Sequence, residues 1–374
     1  MTAAAKSPAK SPAKSPAKSP AKSPAKSSAK TLATYAVIAG AGLLGPLVLP
    51  AFTTQFAFLW VMVTFALTWD VLGGQMGYNS FGNIVYFGIG MYVCAVVQVA
   101  PFTDLAEYNS AYGTQDIGLT SLQYYAGLGA GCLVAALVAV VVAFVLGSGI
   151  LGLRGHYFAI CTLGLGIAAG EIAAGIDIIG AGSGMVTPLY PGEIGTRNRF
   201  FYYLCFALAV VTFLALRRLY AGRFGLAINA IRDDEDKAEA MGLHTTRYKT
   251  IAWCIAAFFL AISGGLVGNI VGFIDPTDVA FAGATFGVWM VLMAILGGKG
   301  TMWGPVLGAA IFHVTQELFW IYLLGWQRVA LGVLIVLIVV FFPQGIIGWL
   351  RERFPHRFGR RIEAASGEAE EPAQ

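Results

Sequence analysis

Uncharged apolar runs, broken by short polar stretches, set the pattern of this chain. Their length suits membrane helices of ~20 residues rather than barrel strands of ~10. Residues 31–69 carry no charge. One helix of that length would rise ~58 Å, about twice the hydrocarbon thickness. Pro46 and Pro50 offer a break in it. The pattern predicts spans at about 33–50, 52–72, 84–100, within 125–150, 156–178, 200–216, 250–273, 279–297, 304–323 and 329–346. The expected fold class is all-α, a polytopic membrane protein with about ten transmembrane helices.

Three polar segments interrupt the runs. Residues 73–83 read GGQMGYNSFGN and present Gln75, Tyr78, Asn79, Ser80 and Asn83. A glycine-rich link of this kind resembles a broken helix, which needs protein or water around its backbone. Residues 296–305 read LGGKGTMWGP and start like the first link, Leu296-Gly297-Gly298 against Leu72-Gly73-Gly74. Ordinary turns account for both equally well.

The third segment, 217–249, holds 7 Lys/Arg and 5 Asp/Glu. Asp233 or Asp234 is placed to cap a short helix, since its carboxylate accepts from first-turn amides. Glu235 and Asp236 suit the positive end of that helix. Gly242 suits a left-handed residue after its end. Ala238 and Met241 lie three apart, so they are expected on one face. A small apolar face beside an acidic one fits a groove on a partner. A solvated loop is the competing reading.

Composition agrees with the pattern. Apolar residues make up 57% and charged residues 12%, against ~25% charged in a usual soluble domain. Residues 1–31 form a Lys-Ser-Pro-Ala repeat, expected to be a disordered cationic tail attracted to anionic headgroups. It has no signal-peptide pattern. Residues 32–350 are expected to form the membrane domain, and 351–374 a polar cytoplasmic tail. With the N-terminus inside, 21 of the 24 Lys/Arg fall on the cytoplasmic side, leaving Arg197, Arg199 and Arg328 outside. The positive-inside rule therefore puts both termini and the 217–249 loop in the cytoplasm. Small-xxx-small pairs at Gly127/Gly131, Gly166/Gly170, Gly264/Gly268 and Gly304/Gly308 suggest close helix packing.

Ionisable groups expected at membrane depth are Asp70, Glu171, Asp177 and the pair His313/Glu317. His313 and Glu317 are spaced i,i+4 and are expected to bond each other. Glu171 is expected to lie deepest. Gln75, Asn79, Ser80, Asn83, Glu171, His313 and Glu317 form the candidate translocation set. Cys94, Cys132, Cys161, Cys205 and Cys254 show no metal or disulfide spacing, and the four His show no ligand pairing. No phosphate loop or nucleophile–base pair is present. The chain is therefore expected to be a transporter component rather than an enzyme. Its classes are a permease driven by a separate ATPase, an ion-coupled carrier using Glu171 and His313/Glu317, or a passive amide channel.

Five stretches resemble one family, in that family's order. They are residues 73–93, 153–166, 230–268, 296–310 and 341–350, the last reading FFPQGIIGWL. They are similar to the permease subunits of branched-chain amino-acid ABC importers, of the LivM type. The resemblance implies an inner (plasma) membrane protein that works with a second permease, two cytoplasmic ATPase subunits and an extracytoplasmic substrate-binding protein. ATP would be bound by those ATPases, with no cofactor in this chain and no nucleic-acid partner. Arg232, Asp233, Glu235, Glu239 and Gly242 match the family's coupling motif, which docks on an ATPase. Urea or short amides are the alternative substrates within the class. The Lys-Ser-Pro-Ala repeat lies outside the family pattern. Residues 77–83 also depart from it, where the family more often shows Gly-Gln-Leu-Ser-Leu-Gly-His.

Overall fold

Each long apolar run closes its backbone hydrogen bonds within itself, as lipid demands. The computed structural model describes residues 40, 42–111, 118–323, 325–341 and 345–353. The cationic repeat, residues 354–374 and residues 33–39 and 41 of the expected first span lie outside these residues, and 42–48 are helical. The helices are α1 (Thr53–Gly73), α2 (Ile84–Val99), α3 (Leu105–Ser110), α4 (Ser121–Ile150) and α5 (Gly155–Ala174). Next come α6 (Ile194–Tyr220), α7 (Arg223–Asp233), α8 (Glu235–Ala240) and α9 (Thr245–Val271). The chain continues through α10 (Val288–Gly297), α11 (Gly304–Tyr322), α12 (Gln327–Phe341) and α13 (Gly345–Arg353).

Six described segments are long and apolar enough to cross a membrane. They are Pro50–Gly73, α4, α5, α6, α9 and Pro276–Gly297, with α2 a shorter apolar helix. This is a polytopic, mostly helical membrane protein. At 30 residues, α4 rises ~45 Å, so it must tilt or project beyond a ~30 Å hydrocarbon layer. The expected eighth span is not one regular helix. Its first part forms two wide turns, Pro276–Ala280 and Gly283–Gly287, before α10 begins. The Asp275 carboxylate starts the first turn by accepting from the amides of Thr277 at 2.9 Å and Asp278 at 2.6 Å.

Helix α9 is the central post, packed by α1, α2, α4 and α6. Small residues set how closely its neighbours approach. A Cβ on Gly264 would lie 2.1 Å from the Phe87 carbonyl oxygen of α2. Between α10 and α11, a Cβ on Gly308 would lie 1.8 Å from the Met293 carbonyl oxygen. These are backbone atoms, so no side chain can move aside. In contrast, α5 is mostly exposed and shows Ile160, Leu163 and Ile167 to the outside. That face suits lipid or another membrane protein.

The end of the bundle remote from the charged loop is tied by backbone. Strand β1 (Met185–Val186) pairs antiparallel with β2 (Phe273–Ile274), register Met185↔Ile274. Arg197 donates to the Asn269 carbonyl at 2.9 Å and also to that of Ile270, capping the last turn of α9 with a cation. Below it the Asn269 side chain joins three helices. Tyr124 donates to its Oδ1, and its Nδ2 donates to Gln98 Oε1, both at 3.0 Å.

Gly264→Ala should therefore destabilise the bundle by about 1–3 kcal/mol, the usual cost of overpacking. Thermal melting in detergent measures it. Gly164→Ala is the control, because its Cβ meets nothing within 4 Å. Equal melting of the two variants would contradict the tight α2–α9 contact.

Candidate functional site

The charged loop folds as two short helices because its sequence supplies both caps. Asp234 ends α7 and caps α8, with its carboxylate accepting from the Lys237 amide at 3.0 Å. Glu235 and Asp236 occupy the first turn of α8. At the other end Gly242 has φ +86°. Its amide donates to Glu239 O at 2.8 Å, and the Leu243 amide donates to Ala238 O at 3.1 Å. This pair of bonds is a Schellman close, which needs the left-handed glycine. Ala238 is buried, whereas Met241 is 85% exposed. The expected shared face fails because α8 stops at Ala240 and Met241 already belongs to the cap.

Helix α8 is held to the bundle by a buried cation. Lys249, near the start of α9, is only 1% exposed. Its ammonium donates to Glu235, to the Tyr78 hydroxyl at 2.7 Å and to the Leu151 carbonyl at 3.3 Å. Tyr78, in the first polar link, donates in turn to the other oxygen of Glu235. Arg154, which precedes α5, lies 3.6 Å from Glu235, 2.6 Å from Asp236 and 3.7 Å from Glu239. Glu239 also accepts from the Thr245 hydroxyl at 2.6 Å. One carboxylate therefore joins α8 to the α1–α2 link, to the α4–α5 turn and to α9.

Burial raises the Glu235 carboxyl, but the bonds from Lys249 and Tyr78 outweigh it, so it titrates below its ordinary range. A lowered carboxylate stabilises the fold above its unfolded value and loses that contribution as pH falls through the folded one. The Glu235 contribution is thus present at neutral pH and is lost in acid. Burial, and then the neighbouring Glu235, push the Tyr78 phenol well above its usual value, so it stays a donor.

The two polar breaks meet beside this cluster. The Asp70 carboxylate, at the end of α1, accepts from the Gly300 amide at 2.7 Å and from Gln75 at 3.4 Å. The Arg232 stem passes over Gly77, with its Cγ 3.4 Å from where a Cβ would stand.

The expected site residues divide between several places. Glu235 belongs to the buried cluster, and Glu239 lies exposed at its edge against Arg154 and Thr245. Arg232 pairs with its neighbour Asp233 at 3.1 Å, both exposed, and Gly242 closes α8. Gln75 is bonded to Asp70. Asn79 is exposed, and Ser80 is buried with no partner for its hydroxyl among the described residues. Asn83 Oδ1 accepts from Trp253 at 3.0 Å. Glu171 is exposed in the last turn of α5. His313 is buried, and its Nδ1 has no partner among the described residues, so the expected bond to Glu317 is absent. Of these link residues Asn83 reaches α9, and no hydrogen bond or ion pair among the described residues joins any of them to Glu171, His313 or Glu317.

Sequence reasoning missed Lys249, Arg154 and the role of Tyr78. Lys249 had one signal, as the last cation ahead of an uncharged run. A lysine reaching out to water gives the same signal.

Comparison with known proteins shows the family. The family described as branched-chain amino acid transport system / permease component matches residues 51–341. The permease protein LivM of Escherichia coli is 28% identical over 345 residues, covering 84% of this chain and 79% of that protein. LivM of Salmonella typhimurium is 27% identical over 336 residues, covering 82% and 78%. The Escherichia coli permease protein LivH is 31% identical over 144 residues, covering 37% and 46%. No solved structure matches the chain significantly. A match over most of the chain, including both polar breaks and the charged loop, makes it a member of the branched-chain amino acid transport permease family.

Proposed function

We propose that this chain is one permease subunit of an ABC importer that moves branched-chain or related amino acids inward by alternating access. In this reading it has ten spans with both termini in the cytoplasm. It pairs with a second permease and receives substrate from an extracytoplasmic binding protein. Two separate ATPase subunits bind ATP and drive the cycle, and the chain has no ATPase site of its own. The substrate class follows the names of its relatives.

The observation that carries the mechanism is the buried Lys249–Glu235–Tyr78 cluster. In the proposed cycle, α8 seats in a groove on an ATPase, with Met241 as its exposed apolar tip. Closure of the ATPase pair displaces α8. Glu235 passes that displacement to the α1–α2 link through Tyr78 and to α9 through Lys249. Arg154 carries it to the start of α5. ATP acts by stabilising one arrangement through contacts that differ between the two. The ion-coupled alternative loses support, since the relatives are permease components of branched-chain amino acid transport systems.

Glu239→Arg should abolish ATP-driven leucine uptake by the assembled transporter, with membrane insertion intact on fractionation. Normal uptake would remove the docking role. Lys249→Met should leave Glu235 with the part-exposed Arg154 as its remaining cation and cost up to about 3 kcal/mol. The double variant Lys249→Met/Glu235→Gln should recover much of the melting temperature but not the uptake. Recovered uptake in the double variant would mean that the cluster only stabilises the fold. A cysteine introduced at Asp236, in an otherwise cysteine-free chain, should react with an impermeant maleimide only after the cytoplasmic face is opened. Labelling of intact cells would invert the topology.

A further inference from the structure

A trough of about 800 Å3 runs down the side of α9, between α4 and α6. Both helices pack on α9, but they leave this part of it uncovered. The walls are apolar: Val140 and Phe144 from α4, Ala215 and Leu219 from α6, Ile251 and Ile255 from α9. The trough follows α9 from Thr246 to Phe259, a rise of ~20 Å at 1.5 Å per residue. One leaflet of hydrocarbon is ~15 Å deep. The trough is therefore about one leaflet long, and it opens sideways to the bilayer rather than inward to the bundle.

Its mouth at the charged-loop end is polar and basic. Thr246 and Arg247 line the trough and also line a second, smaller pocket with Glu239 and His244. Arg247 is exposed and makes no ion pair among the described residues. Glu239 faces the same pocket, but its carboxylate is engaged by Thr245 and Arg154. Arg218, beside Leu219 in the last turn of α6, is exposed and likewise without an ion pair among the described residues. An apolar slot of one leaflet's length, with an unpaired guanidinium at the depth of the headgroups, has the polarity of a phospholipid.

We infer that this trough is a binding site for an anionic phospholipid, its acyl chain along α9 and its phosphate on Arg247. The charge chooses the lipid. Bound chains gain little from an apolar slot when bulk lipid is equally apolar, so selectivity must come from the headgroup. The inference does not depend on which solute is carried. It puts the lipid against the stretch of α9 that begins just after the Thr245–Glu239 bond, next to the proposed coupling helix.

The test uses the assembled transporter in phosphatidylcholine vesicles, with a trace of phosphatidylglycerol carrying a photoreactive group on its acyl chain. Mass spectrometry of the digested chain should find adducts concentrated within 140–148, 215–219 and 246–259. Unlabelled phosphatidylglycerol should compete and phosphatidylcholine should not. Arg247→Gln, at an exposed position, should lower labelling about fivefold, the effect of one basic group worth roughly 1 kcal/mol at an anionic surface. Ala215→Trp should fill the slot and lower it independently. Adducts spread evenly over the outward face of α5, or equal competition by phosphatidylcholine, would overturn the proposal. So would an unlabelled trough in the assembled complex, since another subunit would then cover it.

Discussion

An ammonium group withdrawn from water beside a membrane must be compensated where it stands. Lys249 is such a group, and its partners are fixed by that demand. Glu235 supplies the opposite charge, while Tyr78 and the Leu151 carbonyl accept its remaining protons. The lysine cannot be released to water without leaving half-buried Glu235 with only the part-exposed Arg154 to balance it, at a cost of up to about 3 kcal/mol. The segments that contribute these groups therefore hold one another in register. Four backbone segments, the α1–α2 link, the α4–α5 turn, α8 and the start of α9, become a single joint. A surface helix with only exposed ion pairs would be held by about 1 kcal/mol or less.

The two ends of the bundle are consequently built on different principles. At the remote end, a short antiparallel strand pair and the Arg197 cap tie backbone to backbone. At the charged end, a six-residue helix is held through side chains alone. Side-chain ion pairs are directional yet can be exchanged for others, whereas a strand ladder must be broken residue by residue. An arrangement able to switch is thus expected at the charged end. Close glycine contacts along α9 would carry a shift there as a displacement of whole helices, because packed backbones deform little.

Most helix positions were legible in the sequence, and for a plain reason. Lipid forbids unpaired backbone, so an uncharged run of span length has few alternatives to a helix. The local chemistry of α8 was equally legible, since Asp234, Glu235 and Gly242 act within one turn of their own backbone. The shared face of Ala238 and Met241 was misread because a six-residue helix ends before its periodicity can be used. The wide turns at 276–287 were invisible, because apolar composition does not separate an α-helix from a looser coil. The cluster was hidden for a different reason. Its partners are separated by 157 residues for Tyr78–Glu235 and 171 for Tyr78–Lys249, and no local pattern encodes such a pairing.

The likeness of the two Leu-Gly-Gly breaks gains a physical explanation from their contact. A Cβ on Gly74 would lie 1.8 Å from Asp70 Oδ1 and 2.5 Å from the Gly300 amide nitrogen. Any side chain there would displace the carboxylate from the amide it accepts. Gly300 has φ +76°, a conformation that L side chains rarely adopt, and its own Cβ would stand 3.0 Å from the Gly74 carbonyl. The two breaks are glycine-rich because each must let the other's backbone come close. Buried Asp70 and the amide of Gly300 then satisfy each other where a helix end would leave both exposed to a poor solvent. The polar links thus serve first as a joint between α1 and the α10–α11 turn. A solute path beside them would have to use the groups this joint leaves over, among which are the Ser80 hydroxyl and the Asn83 amide nitrogen.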